Sequence, residues 1–230
     1  MGCPLKARAG AAVNADFEPG RRRPGPDRAV LLAHGAGADR NAPALVAVAR
    51  ALAGAGVPSL RFDFPYRAAG KKAPDRPAVL LAAVRDAAAE LSRRTGLPAE
   101  RLVLGGRSMG GRYCSLAVGD PDDPLPALGL LLLGYPLHPA GKPDNLRVEH
   151  FGRLEVPVLF LSGDRDALAG KADLEKWAGT IPGPVDFHWL AGGDHGFRVP
   201  KALGGTGETA TLTEVADVSL SWVAALPAST

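Results

Sequence analysis

Short apolar runs alternate along this chain with longer stretches in which apolar residues recur every three or four positions. The short runs predict buried β-strands, and the longer stretches predict amphipathic helices. Strands are predicted at residues 29–33, 57–62, 101–104, 127–133, 156–162 and 185–190. Helices are predicted at residues 43–55, 75–95, 109–119, 167–179 and 208–226. Strands and helices therefore alternate along the chain from residue 29, except that the strand at 156–162 follows the strand at 127–133 without a helix between them.

This alternation predicts the fold class and the domain organisation. Strands that are apolar throughout indicate an α/β fold with a doubly wound, mostly parallel sheet, covered by helices on both faces. The chain has 230 residues, of which 46% are hydrophobic, and this suits one domain over residues 28–230. Residues 1–27 are rich in Gly, Pro and Arg, so we expect a flexible N-terminal lead with a short strand near residues 13–17.

Charge and cysteine content indicate which binding partners and which cellular location to expect for the protein. The net charge of +3 comes from scattered arginines, and the cluster Arg21-Arg22-Arg23 is interpreted as solvated rather than as a nucleic-acid or membrane contact. The two cysteines, Cys3 and Cys114, fit a reducing compartment, and Lys6 argues against lipidation of the segment Met1-Gly2-Cys3. We expect a cytoplasmic monomer or homodimer without nucleic-acid or membrane partners.

Chemically versatile side chains follow directly after the predicted strands. In an open parallel sheet these positions gather at one edge, where ligands bind. They include His34, Asp63, Tyr66, Ser108, Tyr135, His138, Asp164, Asp166, Asp194 and His195. One edge of the sheet is therefore expected to carry a nucleophile, acids and histidines.

The segment Gly105-Gly106-Arg107-Ser108-Met109-Gly110-Gly111 has the pattern of a nucleophile elbow, because it lies between a predicted strand and a predicted helix. Gly106 and Gly110 supply the small neighbours that a tight turn at Ser108 requires. A serine that transfers acyl groups needs a base, and the base needs a carboxylate to orient it. His195 lies in a glycine-flanked loop after the last predicted strand, and we expect it to be the base.

Three aspartates compete for the role of the orienting acid. Asp166 is preferred to Asp164 because it lies further into the turn before the next helix, although it also suits the N-cap of that helix. Asp194 adjoins His195, which is a poor arrangement for reaching the far ring nitrogen. The expected triad is Ser108, Asp166 and His195. Of the other histidines, His188 is expected to pack within a strand, and His138 and His150 are expected to be exposed.

Further candidates surround the predicted triad. Two backbone N–H groups, those of Met109 and of Ala36 with Gly37 as an alternative, are candidate donors to an oxyanion. The candidate substrate-binding residues are His34, Gly35, Gly37, Tyr66, Arg107 and His138, with a structural role also open for His34. Four arginines lie close by, namely Arg61, Arg67, Arg107 and Arg112. They indicate either an anionic substrate or salt bridges with Asp63 or Asp166.

Four segments together resemble the α/β-hydrolase superfamily. They are Leu31 to Gly37, Arg61 to Tyr66, Gly105 to Arg112 and Leu133 to Pro139. The resemblance covers residues 29 to 226. Within the superfamily, these segments resemble the dienelactone-hydrolase-like branch in particular. The resemblance is closest to the subgroup of testis-expressed hydrolase-like proteins and a regulatory subunit of the NSL acetyltransferase complex. It implies the α/β-hydrolase fold and a triad of Ser108, Asp166 and His195. The chain departs from the superfamily in two expected ways: its N-terminal segment is short, so we expect one or both leading antiparallel strands to be missing, and the link from Tyr135 to Glu155 is too short for a large cap domain.

These observations predict a serine hydrolase that cleaves a small ester, lactone or thioester through an acyl-enzyme intermediate, without a metal or cofactor. Two alternatives stay open. Some relatives in the resembling subgroup act as interaction subunits, so a hydrolase-fold interaction module with a vestigial triad is the first. A cofactor-free perhydrolase is the second, since it needs only a carboxylic acid and peroxide in the same acyl site.

Overall fold

The apolar runs of the sequence form the strands of one sheet. The computed structural model describes residues 13–20 and 27–228, and within these residues it contains seven strands. They are β1 (Ala15–Glu18), β2 (Ala29–Ala33), β3 (Ser59–Phe62), β4 (Leu102–Arg107), β5 (Gly129–Leu133), β6 (Val158–Gly163) and β7 (Val185–Leu190). Their order in the sheet is β1-β3-β2-β4-β5-β6-β7, and every neighbouring pair is parallel except β1 with β3.

Helices cover both faces of this sheet. Within the described residues they are α1 (Pro43–Gly54), α2 (Pro65–Ala68), α3 (Pro77–Thr95), α4 (Met109–Val118), α5 (Lys171–Ala178) and α6 (Glu208–Ala225). The apolar sides of α1 and α6 pack on one face, and those of α3, α4 and α5 pack on the other. The central strands are buried on both faces, which explains why their sequences are apolar throughout. The predicted α/β fold class is confirmed.

Most predicted boundaries lie within two residues of the observed ones, and the two that differ by three residues or more do so for identifiable reasons. Strand β4 continues to Arg107, beyond the predicted end at residue 104, because its glycines let neighbouring backbones approach closely. A Cβ atom at Gly105 would overlap the backbone of Leu131 on β5. Helix α5 begins at Lys171, not at residue 167, since residues 164–170 fold into turns around Asp166. Asp166 is therefore not the N-cap of α5; that position is taken by Gly170.

The N-terminal segment contributes a strand to the sheet. Strand β1 lies close to the strand predicted near residues 13–17 and pairs antiparallel with β3, with Ala15 opposite Phe62. At least one leading antiparallel strand is thus present. The division into a lead of residues 1–27 and a domain of residues 28–230 stays a prediction. The segment Met1-Gly2-Cys3 and the cluster Arg21-Arg22-Arg23 lie outside the described residues.

The order of the strands creates a topological switch point. From β2 the chain passes through α1 to β3 on one side of β2, and then through α3 to β4 on the other side. The loops that follow β2 and β4 therefore diverge at the same edge, which is where open α/β sheets bind ligands. The connection from β5 to β6 holds one short 3-10 turn, Phe151–Arg153, and no cap domain.

Candidate active site

Ser108 lies on a strained turn between β4 and α4. Its backbone has φ 50° and ψ −115°, a left-handed conformation that non-glycine residues rarely adopt. Its N–H donates a 2.9 Å hydrogen bond to the carbonyl of Leu133, which anchors the turn to β5. The side chain is half-buried and lines a cleft. Backbone strain held at an accessible hydroxyl is the geometry of a nucleophile elbow.

The two glycines that flank Ser108 are required by β2, the neighbouring strand. A Cβ atom at Gly106 or at Gly110 would overlap the carbonyl oxygen of Ala33. Gly106 also has φ 150°, where any side chain is strained. The elbow thus needs small residues because it is pressed against the end of β2, a reason more specific than the tightness of the turn itself.

Ser108, His195 and Asp166 form one hydrogen-bonded line. Ser108 Oγ lies 2.9 Å from His195 Nε2, and His195 Nδ1 lies 2.7 Å from Asp166 Oδ2. The side chain of Asp166 is fully buried, and that of His195 is 26% exposed. The carboxylate accepts from Nδ1–H, so Nε2 is left to accept the proton of the hydroxyl. The other oxygen of Asp166 accepts from the N–H of Leu168 at 2.8 Å.

The other two aspartates shape the loops. Asp164 Oδ1 accepts from the N–H of Gly192 at 2.8 Å, which ties the loop after β6 to the loop after β7. Asp194 Oδ1 accepts from the N–H groups of Gly196 and Arg198, both at 2.8 Å, and so closes the turn that carries His195. Neither carboxylate is hydrogen-bonded to the ring of His195, so the structure separates the three aspartates that the sequence left in competition.

The loop after β2 passes directly beside Ser108. A side chain at Gly35 would contact Ser108 Cβ at 3.5 Å. The N–H groups of Ala36 and Met109, the two candidate oxyanion donors, make no hydrogen bond to any described residue. Gly37 has φ 76°, a left-handed conformation that lets this loop turn sharply. Two unpaired N–H groups therefore lie in the backbone segments on either side of the serine.

His34 and Tyr66, two of the candidate substrate-binding residues, are buried and do not line the cleft, which fits the structural role that was also open for His34. His34 is fully buried and accepts from the N–H of Phe64 through Nε2 at 3.1 Å, while its Nδ1 faces the carbonyl of Gly35 at 2.8 Å. Burial lowers the pKa of His34, which keeps the ring neutral. Tyr66 is 1% exposed, and burial raises the pKa of its hydroxyl. Both residues support the loop after β2 from behind.

The remaining histidines lie away from the cleft. His138 is half-buried, its Nδ1 lies 2.9 Å from the carbonyl of Pro139, and it does not line the cleft, contrary to expectation. His150 was expected to be exposed and is fully buried, with Nε2 2.8 Å from Ser115 Oγ. His188 on β7 lies 2.8 Å from Glu214. The segment around His150 is polar in sequence, and only its packing beneath α4 explains the burial.

The four arginines near the site divide into two groups. Three of them bind carboxylates: Arg61 binds Glu18 at 2.9 Å, Arg67 binds Asp39 at 3.5 Å, and Arg112 binds Glu149 at 3.3 Å. The expected partners were wrong for these three, because Asp63 pairs with Arg40 and Asp166 with His195.

Arg107 forms no salt bridge with any described residue. Its Nη1 donates to the carbonyls of Leu133 and Gly134 at 3.2 and 3.4 Å, and its guanidinium carbon lies 4.4 Å from the ring centroid of Phe197. Burial lowers the pKa of Arg107 to about 10, and the negative charges of Asp166 and Asp194 oppose this shift. The group therefore stays cationic at neutral pH.

A cleft of about 930 Å³ opens above Ser108. Its lining residues come from the loops after β2, β4, β6 and β7 and from the starts of α1 and α6. They are Gly35, Ala36, Gly37, Ala38, Ala42, Pro43, Ala44, Arg107, Ser108, Leu168, His195, Gly196, Phe197, Arg198, Val199, Gly207, Glu208, Thr211 and Leu212. The volume suits a small molecule.

The sequence patterns did not predict that Phe197, Arg198 and the start of α6 line the cleft. Arg198 follows His195 closely, so its place in the same loop was a usable signal. Thr211 and Leu212 gave no signal, because they reach the cleft only through packing of α6 beside α1.

Within residues 13–20 and 27–228, no helix is both long enough and apolar enough to cross a bilayer. Within the same ranges, no group of three or more His, Cys, Asp or Glu side chains is arranged to hold a metal ion.

Comparison with known proteins places this geometry in context. Residues 26–224 match the family described as an alpha/beta hydrolase domain. The fold is similar to Est1E from Butyrivibrio proteoclasticus, solved with ferulic acid, with a TM-score of 0.71, 17% identity and coverage of 92% of this chain and 96% of that chain.

Two other solved structures are similar over nearly their whole length. Dienelactone hydrolase from Anabaena variabilis has a TM-score of 0.66 and 20% identity, with coverage of 93% of this chain and 92% of that chain. XC6422 from Xanthomonas campestris, described as a serine hydrolase without a lid, has a TM-score of 0.66 and 17% identity, with coverage of 95% and 91% respectively. At these identities the similarity shows a shared fold.

Proposed function

Because the chain belongs to the alpha/beta hydrolase domain family, we propose that it is a serine hydrolase that cleaves a small ester, lactone or thioester through an acyl-enzyme. The hydrogen-bonded line from Ser108 through His195 to Asp166 is the observation that carries the proposal. The strained elbow and the open cleft support it, since they leave the hydroxyl accessible to a substrate of modest size.

The proposed reaction begins with proton transfer within this line. Ser108 Oγ attacks the carbonyl carbon of the substrate while His195 Nε2 takes the hydroxyl proton. The carboxylate of Asp166 stabilises the imidazolium that forms. The N–H groups of Met109 and Ala36 donate to the oxyanion of the tetrahedral intermediate, a contribution of roughly 3 kcal/mol per donor to transition-state stabilisation.

The second half of the reaction restores the enzyme. The proton on His195 passes to the leaving alcohol or thiol as its bond to the acyl carbon breaks, and the acyl group stays on Ser108. Water then attacks the acyl-enzyme, giving its proton to His195, and the carboxylic acid leaves as Ser108 regains its proton. Each step uses the three side chains, the two backbone N–H groups, the substrate and water.

We infer further that the narrower resemblance to the dienelactone-hydrolase-like branch reflects common chemistry. The fold similarity to the Anabaena dienelactone hydrolase and the lack of a cap between β5 and β6 support this inference. The closer subgroup, the cytoplasmic location and the monomeric or homodimeric state stay predictions. The low cysteine content is the feature that favours the cytoplasm.

Labelling with a fluorophosphonate, followed by intact mass, tests the proposal. A phosphorus–oxygen bond forms to Ser108 as fluoride leaves, and His195 takes the proton, so labelling reports the activated serine without any knowledge of the substrate. We expect one adduct on the wild type, none on Ser108→Ala, and strongly slowed labelling of His195→Ala. Folded wild-type protein that forms no adduct would instead support the interaction module with a vestigial triad.

A further inference from the structure

Strand β7 forms one edge of the sheet. It pairs with β6 on one side, and no strand within the described residues pairs with it on the other. The carbonyls of Pro184 and Leu190 accept hydrogen bonds from N–H groups in and just after β6, at 2.9 and 3.2 Å, so these positions direct their backbone groups towards β6. Backbone groups alternate in direction along a strand. The N–H and C=O groups of Val185, Phe187 and Trp189 therefore point away from the sheet.

The two edges of the sheet differ in their protection against further pairing. Proteins protect a free edge with a short strand, with charged side chains or with proline. Strand β1, the other edge, has four residues, and its carboxylates Asp16 and Glu18 form ion pairs with Arg40 and Arg61. Strand β7 has six residues, Val-Asp-Phe-His-Trp-Leu, without lysine or proline. The edge at β7 is thus the one that is open to a further strand.

A second copy of the chain fits this edge in one register. Two copies related by a two-fold axis pair their β7 strands antiparallel. With the axis at Phe187, this residue lies opposite Phe187 of the second copy, and Val185 lies opposite Trp189 of the second copy. Each of these pairs joins residues whose backbone groups point outward, so each can exchange hydrogen bonds. Any other register that aligns outward-pointing residues leaves at least one of them without a partner in β7.

The same register brings unlike side chains together. Asp186 lies opposite His188 of the second copy, at a position where the Cα atoms of an antiparallel pair are only about 4.5 Å apart. Both side chains are on the face covered by α6, where Asp186 accepts from Trp222 Nε1 at 2.9 Å and His188 Nε2 lies 2.8 Å from Glu214. By symmetry the contact of carboxylate with imidazole occurs twice. This complementarity favours a second copy of the chain over an unrelated strand.

The side chains around β7 suit a protein interface. Two of the three tryptophans of the chain, Trp189 and Trp222, bind to groups here and stay partly exposed. Trp189 Nε1 donates to Glu175 on α5 at 3.1 Å, and the Trp189 ring stacks on Phe187 with centroids 5.7 Å apart. Exposed aromatic residues are enriched at protein–protein interfaces. In the register above, α5 and α6 of one copy lie beside the same helices of the other, which enlarges the contact beyond the strands.

We propose that the protein forms a homodimer in which the β7 strands of two copies pair antiparallel about a two-fold axis at Phe187. The pairing joins the two sheets into one continuous sheet. None of the residues that carry this interface lines the cleft above Ser108. The homodimer is therefore independent of the proposed hydrolase activity, and each can fail without the other.

Mass and hydrogen exchange of the wild type test the interface directly. Sedimentation velocity over roughly 1 to 100 µM of chain should show a dimer at the upper end of this range. Hydrogen exchange, read by mass spectrometry at single amides, should be at least about tenfold slower for Val185, Phe187 and Trp189 in the dimer than in the monomer. The amides of Asp186 and His188 point towards β6 and should be protected in both states.

Two charge variants test the register. Asp186→Lys places a cation opposite His188, and His188→Asp places two carboxylates opposite each other, so each variant should weaken the homodimer roughly 10-fold or more. An equal mixture of the two variants should form a heterodimer, detected by native mass spectrometry, because opposite charges face each other again. Asp122→Lys is the matched control, since it makes the same charge change in an exposed loop between α4 and β5, and it should dimerise like the wild type.

Every result decides for or against this interface. A wild type that stays monomeric to the top of the concentration range would overturn the homodimer. A dimer whose three outward-pointing amides exchange as fast as in the monomer, or one that tolerates both charge variants, would have its interface elsewhere and would overturn the pairing of β7. Slow exchange of these amides in a monomer would show that another segment of the same chain covers β7, and would overturn it as well.

Discussion

Two serine–histidine pairs lie at α4. Their Oγ–Nε2 distances are nearly equal, but the pairs differ in burial and in the direction of their hydrogen bonds. Ser108 Oγ is 2.9 Å from His195 Nε2 at the start of the helix, and Ser115 Oγ is 2.8 Å from His150 Nε2 two turns later. The first pair borders a cleft, whereas both residues of the second are fully buried. A short serine–histidine distance is therefore not sufficient to identify a nucleophile.

The direction of the hydrogen bonds explains the difference. Ser115 Oγ donates to the carbonyl of Arg112 at 2.9 Å, so it accepts from His150 Nε2–H, and this histidine cannot take the serine proton. Its Nδ1 is buried and has no partner among the described residues. His195 has the opposite arrangement, because Asp166 accepts from its Nδ1–H and leaves Nε2 as the acceptor. The buried carboxylate sets the tautomer, and the tautomer sets which pair can react.

The largest effect that we predict comes from replacing the serine of each pair by alanine. Ser108→Ala should lower kcat/KM for an ester by at least ~10⁴-fold, because the acyl acceptor is lost. Ser115→Ala should keep labelling and turnover while it loses roughly 1–3 kcal/mol of stability, since a buried N–H of His150 loses its acceptor. Ester hydrolysis and urea unfolding measure the two effects. An adduct or full activity in Ser108→Ala would place the nucleophile elsewhere.

The acid supplies the next largest effect. Asp166→Asn should lower kcat by ~10³–10⁴-fold, because an amide no longer favours the tautomer in which Nε2 accepts. Asp164→Asn is the matched control on the same loop and should lose far less activity, since Asp164 only bonds the N–H of Gly192. Steady-state kinetics with one ester decide the point. Comparable losses in both variants would show that loop geometry matters and that Asp166 has no special role.

The elbow itself should be sensitive to a single methyl group. Gly106→Ala should cost roughly 4 kcal/mol of stability, because the new Cβ overlaps the carbonyl of Ala33 and the backbone is strained. Gly54→Ala, at the end of α1 with open space around it, should be neutral or slightly stabilising. Unfolding in urea gives both values. A small loss in Gly106→Ala would show that the elbow relaxes away from β2.

The buried pair should give the protein a pH dependence of stability. Burial lowers the pKa of His150 to about 4 from its ordinary value of 6.5. Between pH 6.5 and 4 the imidazole of His150 is protonated in the unfolded chain and neutral in the folded chain. The contribution of this group to the free energy of unfolding is therefore fully present above pH 6.5 and is lost as the pH falls towards 4. The loss from this group is about 3 kcal/mol. His150→Gln should flatten that part of the profile, and an unchanged slope between these pH values would contradict the assignment.

The chain determined its architecture locally. The period of its apolar residues fixed where strands and helices form, and strands without a polar face required a sheet covered on both sides. The glycines around Ser108 marked a turn, and the order of chemically active residues after the strands placed them at one edge. These inferences need only neighbours in the sequence, which is why the predicted boundaries of β7 and the start of α1 agree with the structure.

Tertiary structure decided which of those residues meet. Asp166 and Asp164 lie on one turn, and only the packing of β6 beside β7 decides which carboxylate reaches His195 and which one holds Gly192. Burial of His150 and isolation of Arg107 were likewise invisible, because each depends on groups far away in sequence. Hydrogen-bond direction, desolvation and the pairing of charges are properties of a packed site, and no periodicity along the chain encodes them.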